Sequence, residues 1–318
     1  MAPHDHQHAA HGHGHAHGAS DRRRLAAAIA IIAAATIAQF VGSLVTGSIA
    51  LLADSGHLLS DLLGLVVALG AARVAARPAT DRHTYGFRRF EVFGALFNGV
   101  AVLGVAVFVA IGAVIRLIQG ARGESGDVLA EGMLVVAIAG LVANVAALIV
   151  LHQRRAGEPA SINVRGASLE VLSDTIGSAV VIAAALIILG AGWRLADPIA
   201  SLVIAAMIVP RAVSLLREVA RVLSESTPRS TDIALIRQHL TEASGVVEVH
   251  DVHVWQITTG QAVFTAHVGV EPSVFTEGRA AALLDELDAC LSAHFDVAHS
   301  TLQLEPAGRA DPERSAHS

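Results

Sequence analysis

Ser48-Ile-Ala-Leu-Leu-Ala-Asp-Ser-Gly-His-Leu-Leu-Ser-Asp61 is an apolar run interrupted by ionisable side chains. His57 and Asp61 stand four residues apart, a spacing that places both on one face of a helix. The spacing returns in Gly166-Ala-Ser-Leu-Glu-Val-Leu-Ser-Asp-Thr175, where it joins Glu170 to Asp174. Both runs lie in segments long and apolar enough to cross a bilayer, where ionisable groups are costly and default to a functional reading. Two such helices packed face to face offer one imidazole and three carboxylates to a single cation. The pattern points to transport of a divalent metal.

Working outward, the composition agrees. The chain has 318 residues, of which 53% are hydrophobic and only 16% charged, too apolar for an ordinary soluble protein of this size. The apolar residues concentrate between Leu25 and Leu216. Six segments satisfy the length of a hydrocarbon core, roughly 25–45, 48–72, 90–118, 128–152, 162–190 and 194–217. No signal peptide is visible, since Arg22-Arg-Arg leads straight from a polar, His-rich start into the first span. The expected organisation is a disordered tail over 1–20, a six-helix transmembrane domain over 21–222, a cytoplasmic domain over 223–306 and a disordered tail over 307–318.

Arginine placement orients the spans. Arg22 to Arg24, Arg73, Arg77, Arg82, Arg88, Arg89, Arg154, Arg155, Arg165, Arg211, Arg217 and Arg221 fall on one side, against Arg116, Arg122 and Arg194 on the other. The positive-inside rule makes the rich side cytoplasmic, with both termini there and the protein in the cell's inner membrane. After the last span the chain reads helix (231–243), strand (246–257), strand (262–271), helix (276–294), strand (300–305). This order fits a small α+β domain of ferredoxin-like type. Thr258-Thr-Gly-Gln261 reads as a hairpin turn and Thr227-Pro-Arg-Ser-Thr-Asp232 as a helix N-terminus.

His57, Asp61, Glu170 and Asp174 are the expected transport ligands, a donor set that suits zinc. Three carboxylates also make the site harder and more anionic than one with two histidines, which eases entry of other divalent ions such as Cd, Co, Fe or Mn. Asp54 reads as a helix cap or a residue that orients the ligands, and a third ligand on its helix is the alternative. Asn98 and Asn144 read as donors to the carboxylates or as interhelical hydrogen bonds. Because metal ligands must be deprotonated, binding releases protons and protonation releases metal. A midplane site with alternating access is then an antiporter.

In the soluble domain His250, His267 and Glu305 fall on three strands and can form a regulatory metal site. His253, three residues from His250, faces the other side of a regular strand. His83, in the loop after the second span, is a single candidate ligand. His4, His6, His8, His11, His13, His15 and His17 form a tail dense enough in imidazole to capture metal collectively. Asp197-Pro198 reads as a structural helix start. The single cysteine, Cys290, excludes an intrachain disulfide and a Cys-based zinc site. Neither His-Glu-x-x-His, nor Gly-x-x-x-x-Gly-Lys, nor Gly-x-Ser-x-Gly occurs, so no enzyme activity and no ATP drive are expected. No nucleic-acid partner is expected either.

The chain resembles the cation diffusion facilitators, in their zinc-transporting branch. The resemblance runs from about 25 to 306. It rests on Gly47 to Asp61, Tyr85-Gly-Phe-Arg-Arg-Phe-Glu91, Phe97-Asn-Gly99, Glu170-Val-Leu-Ser-Asp-Thr-Ile-Gly-Ser178, Asp197-Pro-Ile-Ala-Ser201 and His250-Asp-Val-His-Val-Trp255. It implies a homodimer with metallochaperone-like cytoplasmic domains and zinc export by proton antiport. It further implies His57, Asp61 and Asp174 as transport ligands and His250 and His267 as cytoplasmic ones, with Glu305 at a carboxylate position. The chain departs from the family at Glu170, where zinc members usually carry histidine. It also departs at Gln303, in place of a histidine of some relatives, and at Phe87, in place of a loop ligand. The expected function is therefore Zn2+ export, extending to Cd2+ and Co2+, in exchange for protons across the bilayer. The alternatives are export of Mn2+, Fe2+ or Co2+, and a membrane metal sensor that does not transport.

Overall fold

The computed structural model describes residues 14–124, 127–152, 162–229, 231–258, 260–295 and 297–309. Six long helices come first: α1 (Gly14–Thr46), α2 (Ile49–Ala75), α3 (Arg89–Ala121), α4 (Ala130–His152), α5 (Ile162–Ala191) and α6 (Ala196–Leu223). Each contains a stretch apolar enough to cross a membrane, from Ala26–Thr46 in α1 to Ala196–Leu223 in α6, matching the six expected spans. Exposed side chains such as Leu44, Val66, Phe108 and Val135 stud their outer faces. Such surface is stable only against hydrocarbon, and a helix is the element that satisfies its own backbone there.

The first helix corrects one expectation. Gly14 to Ser20 belong to α1, so the unstructured tail does not extend to residue 20. A helix nucleated in the apolar span propagates cheaply backward, and Ala16, Ala19 and Arg22 to Arg24 are strong helix formers. Residues 1–13 and 310–318 lie outside the described residues.

The chain divides into two compact units, residues 1–65 with 98–213 and residues 66–97 with 214–318. In the first, Leu51, Val102, Val109, Met133, Val181 and Ile204 build a buried core among α2 to α6, while α4 packs against α1 and α5. Gly47 closes the α1–α2 hairpin with φ of +68°, a left-handed turn that suits glycine. The N-terminus of α2 is then sealed from another helix. Asp197, fully buried at the start of α6, accepts from the Ile49 and Ala50 amides at 3.0 and 3.1 Å and from Ser48 Oγ at 2.5 Å. Arg116 of α3 lies 3.5 Å from the same carboxylate and donates to the Gly47 carbonyl at 2.6 Å. Asp197 is thus structural, as expected, but it caps α2 rather than its own helix.

In the second unit, α7 (Ile233–Thr241), β1 (Val246–Thr258), β2 (Gln261–Val270), α8 (Pro272–Thr276), α9 (Ala280–Phe295) and β3 (Val297–Pro306) follow the order read from the sequence. Asp232 caps α7 through the Ala234 and Leu235 amides. The sheet runs β1-β2-β3, antiparallel then parallel. Phe264, Ala266, Val268 and Val270 alternate along β2 into a core completed by Ile236 and Leu240 of α7 and by Leu283, Leu287 and Leu291 of α9. The opposite face of β2 carries His267.

The α2 cap yields a stability prediction. Asp197→Ala strands two amides and the Arg116 guanidinium, and should cost about 3 kcal/mol. Asp197→Asn should recover part of that. Thermal unfolding of the detergent-solubilised protein reads both.

Candidate metal centres

Helix α2 places Asp54, His57 and Asp61 on successive turns; Asp54 and His57 are buried. His57 Nε2 lies 3.4 Å from Asp61 Oδ2, and His57 Nδ1 is buried without a hydrogen-bond partner among the described residues. Asp61 Oδ2, which faces Nε2, is likewise buried without a hydrogen-bond partner among the described residues, and a metal cation shared by imidazole and carboxylate would satisfy it. On α5, Asp174 is 5% exposed, and it lies within electrostatic range of Asp54, Asp61, Glu170 and Arg211.

Asp54 is held from two further helices. Its Oδ2 accepts from Gln39 Nε2 of α1 and from Ser178 Oγ of α5, both at 3.3 Å. Its carboxylate sits where a side chain on Gly177 would stand, so only glycine lets α2 and α5 approach so closely. With both donors directed to it, Asp54 orients the site and ties α1, α2 and α5 together. Asn98 reaches Gly64, one turn beyond Asp61. The Asn98 carbonyl oxygen and the buried Asn144 amide nitrogen have no hydrogen-bond partner among the described residues.

Glu170 behaves differently from the other three expected ligands. It is half exposed and paired with Arg211 of α6 at 3.0 Å. Among the described residues the four side chains therefore do not close around one point: His57 and Asp61 pair with each other, Asp174 is within electrostatic range of Asp61, and Glu170 is turned to a guanidinium. Unscreened carboxylates repel, and Arg211 neutralises the one best able to swing outward. Arg211, Gln39 and Ser178 are the site residues that sequence reasoning missed. Arg211 was counted only for topology, although it follows Pro210 within an apolar helix; Gln39 is a lone amide inside the first span.

The second centre lies on the sheet. His250 pairs with His267 across β1 and β2, and Glu305 enters from β3 beside Gly269. His250 Nε2 lies 3.0 Å and His267 Nδ1 3.7 Å from Glu305 Oε1, and one ligand atom from each residue falls within 4.8 Å of the others. The Nδ1 atoms of both histidines are buried without a hydrogen-bond partner among the described residues. Two imidazoles and a carboxylate with a fourth position free fit Zn2+. Gln303 pairs with His267 in register, and its amide turns to Glu305 at 3.4 Å.

His253 corrects the strand argument. β1 bulges between His250 and His253, with Asp251 at φ of +49°. The bulge absorbs one residue and returns His253 to the face of His250. The Asp251 carboxylate then lies 3.0 Å from His253 Nε2 and 3.9 Å from His267 Nε2. His83 packs its ring against Phe87 at 4.4 Å, with Nδ1 beside Thr80, and joins no cluster of ligands among the described residues. His4, His6, His8, His11 and His13 fall outside the described residues; His15 and His17 lie on the first turns of α1. Burial, with Glu242 and Glu286 nearby, pushes the Cys290 thiol up and away from metal-binding thiolate.

This geometry defines a multi-pass membrane protein with a cytoplasmic α+β domain, and each part holds candidate metal ligands. Comparison with known proteins agrees: the cation efflux transmembrane domain matches residues 25–224, and the cytoplasmic domain of cation efflux proteins matches residues 228–307. The chain belongs to the cation efflux, or cation diffusion facilitator, family. It is a metal cation efflux transporter and not an enzyme. It is 38% identical over 293 residues to the metal cation efflux system protein CzcD of Cupriavidus metallidurans, covering 92% of this chain and 89% of that one. It is 36% identical over 287 residues to the zinc transporter ZitB of Escherichia coli, covering 90% and 88%. It is 33% identical over 289 residues to a cadmium, cobalt and zinc/H(+)-K(+) antiporter of Bacillus velezensis, covering 91% and 90%.

The sheet centre yields a binding prediction. His267→Ala should remove one equivalent of bound Zn2+ per chain, measured by calorimetry as the difference between Asp174→Ala with and without His267→Ala, so that the N-terminal histidines contribute equally to both. Glu305→Gln, which keeps the shape, should weaken that equivalent by about tenfold or more.

Proposed function

We propose that this protein exports Zn2+ from the cytoplasm, with Cd2+ and Co2+ as further cargoes, in exchange for protons. The reading rests on the His57–Asp61 pair of α2, whose Asp61 Oδ2 has no hydrogen-bond partner among the described residues, and on the buried Asp174 of α5 within electrostatic range of it. Glu170 completes the donor set when it leaves Arg211. The carboxylates of Asp61, Glu170 and Asp174 against the Arg211 guanidinium leave two negative charges, the complement of a divalent ion. Metal and protons compete for the same lone pairs, so a proton gradient drives release when the site alternates between the two sides. The names of the CzcD, ZitB and Bacillus relatives support zinc, cadmium and cobalt as cargo, and the last supports exchange for protons.

The same reading places the chain in the inner membrane with both termini cytoplasmic, by the arginine asymmetry. Two copies associate through their cytoplasmic domains, and the His250–His267–Glu305 centre senses cytoplasmic zinc. The N-terminal histidines capture metal near the entrance. A second reading, Mn2+, Fe2+ or Co2+ as the main cargo, is favoured by the three carboxylates.

Flux in proteoliposomes under an imposed pH gradient, for Zn2+, Cd2+ and Mn2+, tests these readings. Zn2+ movement should collapse with the gradient, and excess Mn2+ should leave it unchanged. Robust Mn2+ flux without Zn2+ flux would move the proposal to the second reading, and binding without flux of any ion would favour a sensor. His57→Ala and Asp174→Ala should each reduce Zn2+ flux at least about a hundredfold with thermal unfolding unchanged. Arg211→Gln should tighten Zn2+ binding roughly fivefold, the ~1 kcal/mol upper range of an exposed ion pair, because metal no longer displaces a guanidinium.

A further inference from the structure

The second unit contains a cavity of about 870 Å³ that the transport and sheet centres do not use. One wall is the end of α2 and the loop that follows it, and the other is the turn end of the sheet around Ile257, Ala262 and Val263. Its volume falls within the ordinary range of small-molecule sites. Arg77, Arg88, Thr84, Tyr85, Glu91 and His299 supply its polar lining.

The charges in it are unbalanced toward the positive. Among the described residues the Arg77 side chain has no hydrogen-bond or acidic partner. Arg88 donates only to the neutral amide oxygen of Gln261. The sole carboxylate of the lining, Glu91, already accepts from Thr258 Oγ1 at 3.1 Å. Tyr85 stands edge-on to His299 with ring centroids 6.0 Å apart, leaving a hydroxyl and an imidazole on the same lining. Two guanidiniums with a hydroxyl donor are the usual cradle of a phosphate group, because the planar fork of arginine matches its oxygens.

The cavity also has an apolar side, from Ala72 and Ala75 on the last turns of α2 and Ala76 just after it to Val263 on β2. The membrane-length stretch of α2 ends at Ala75, and Phe90, Phe93 and Phe97 stand exposed along the start of α3. The segment that joins two consecutive spans, from the end of α2 at Ala75 to the start of α3 at Arg89, lies at the headgroup level of a bilayer. A site there meets anionic headgroups directly.

We infer that this cavity binds a phosphate group through Arg77 and Arg88, and that its natural source is the headgroup of an anionic phospholipid in the cytoplasmic leaflet. The proposal is independent of which ion the protein carries.

The test uses the full chain, purified in detergent and mixed with phosphatidylglycerol or phosphatidylcholine, with retained lipid counted by native mass spectrometry. Phosphatidylglycerol should be retained at least about tenfold better than phosphatidylcholine, and Arg77→Gln with Arg88→Gln should abolish the difference. Arg82→Gln, in the same loop but outside the cavity lining, should preserve it, with thermal unfolding confirming that both variants fold. Displacement of the lipid by millimolar inorganic phosphate would support the phosphate site and assign it to free phosphate esters; resistance to displacement would support the lipid as the ligand. Equal retention of the two lipids, or an equal loss in Arg82→Gln, would overturn the proposal.

Discussion

The carboxylate of Asp197 closes the N-terminus of α2, and the proposed cargo site depends on that closure. Helix α2 carries Asp54, His57 and Asp61 on successive turns, so a shift along its axis moves all three together. The shift is resisted at one point, where two backbone amides, a serine hydroxyl and the Arg116 guanidinium converge on a fully buried carboxylate. The helix dipole adds to the pairing, because the positive end of α2 meets a negative charge. The anchor comes from α6, the helix that also carries Arg211. The helix that carries two of the four proposed ligands, His57 and Asp61, and the helix that carries Arg211 are thereby fixed to each other in one compact unit.

Ionised groups inside such a unit need donors, and the fold supplies them selectively. Asp54 receives two from neighbouring helices. The His57 imidazole retains a nitrogen without a partner, and the Asn98 carbonyl oxygen stands open too. The difference separates residues that organise the site from atoms left open to a ligand. A buried group with its bonds satisfied rigidifies a structure, whereas an open one costs free energy until something binds. The orphaned nitrogens of His250 and His267 show the same signature on the sheet.

Much of this was legible in the sequence, for identifiable reasons. Six spans follow from apolar length, and the order of the second unit follows from period-two strands between capped helices. The His57–Asp61 pair was legible because helical geometry translates i,i+4 spacing into proximity, whereas Glu170 turns to Arg211 instead. Spacing fails where the local geometry is irregular: the bulge at Asp251, with its left-handed backbone, reverses the face expected for His253. It is equally blind to partners distant in sequence. Nothing near Asp197 reveals that its carboxylate caps a helix 148 residues earlier in the chain, and nothing near Glu170 reveals Arg211. The helical start of α1 at Gly14 was hidden because a histidine- and glycine-rich composition resembles a tail, while propagation from a nucleated helix is decided downstream.

The pairing of Glu170 with Arg211 gives a physical reading of the one departure in the ligand set. An imidazole at this position would be a neutral ligand and would draw little from a guanidinium. A carboxylate there adds a charge that must be matched whenever the metal is away, and Arg211 matches it from a half-exposed position where such a pair is weak. A weak, solvent-accessible pair is readily exchanged for a divalent ion; a buried one would compete too well with the cargo. In the proposed cycle the carboxylate and the arginine then act as a unit: the first would strengthen attraction for the incoming cation, and the second would offset that gain so that the ion can also leave.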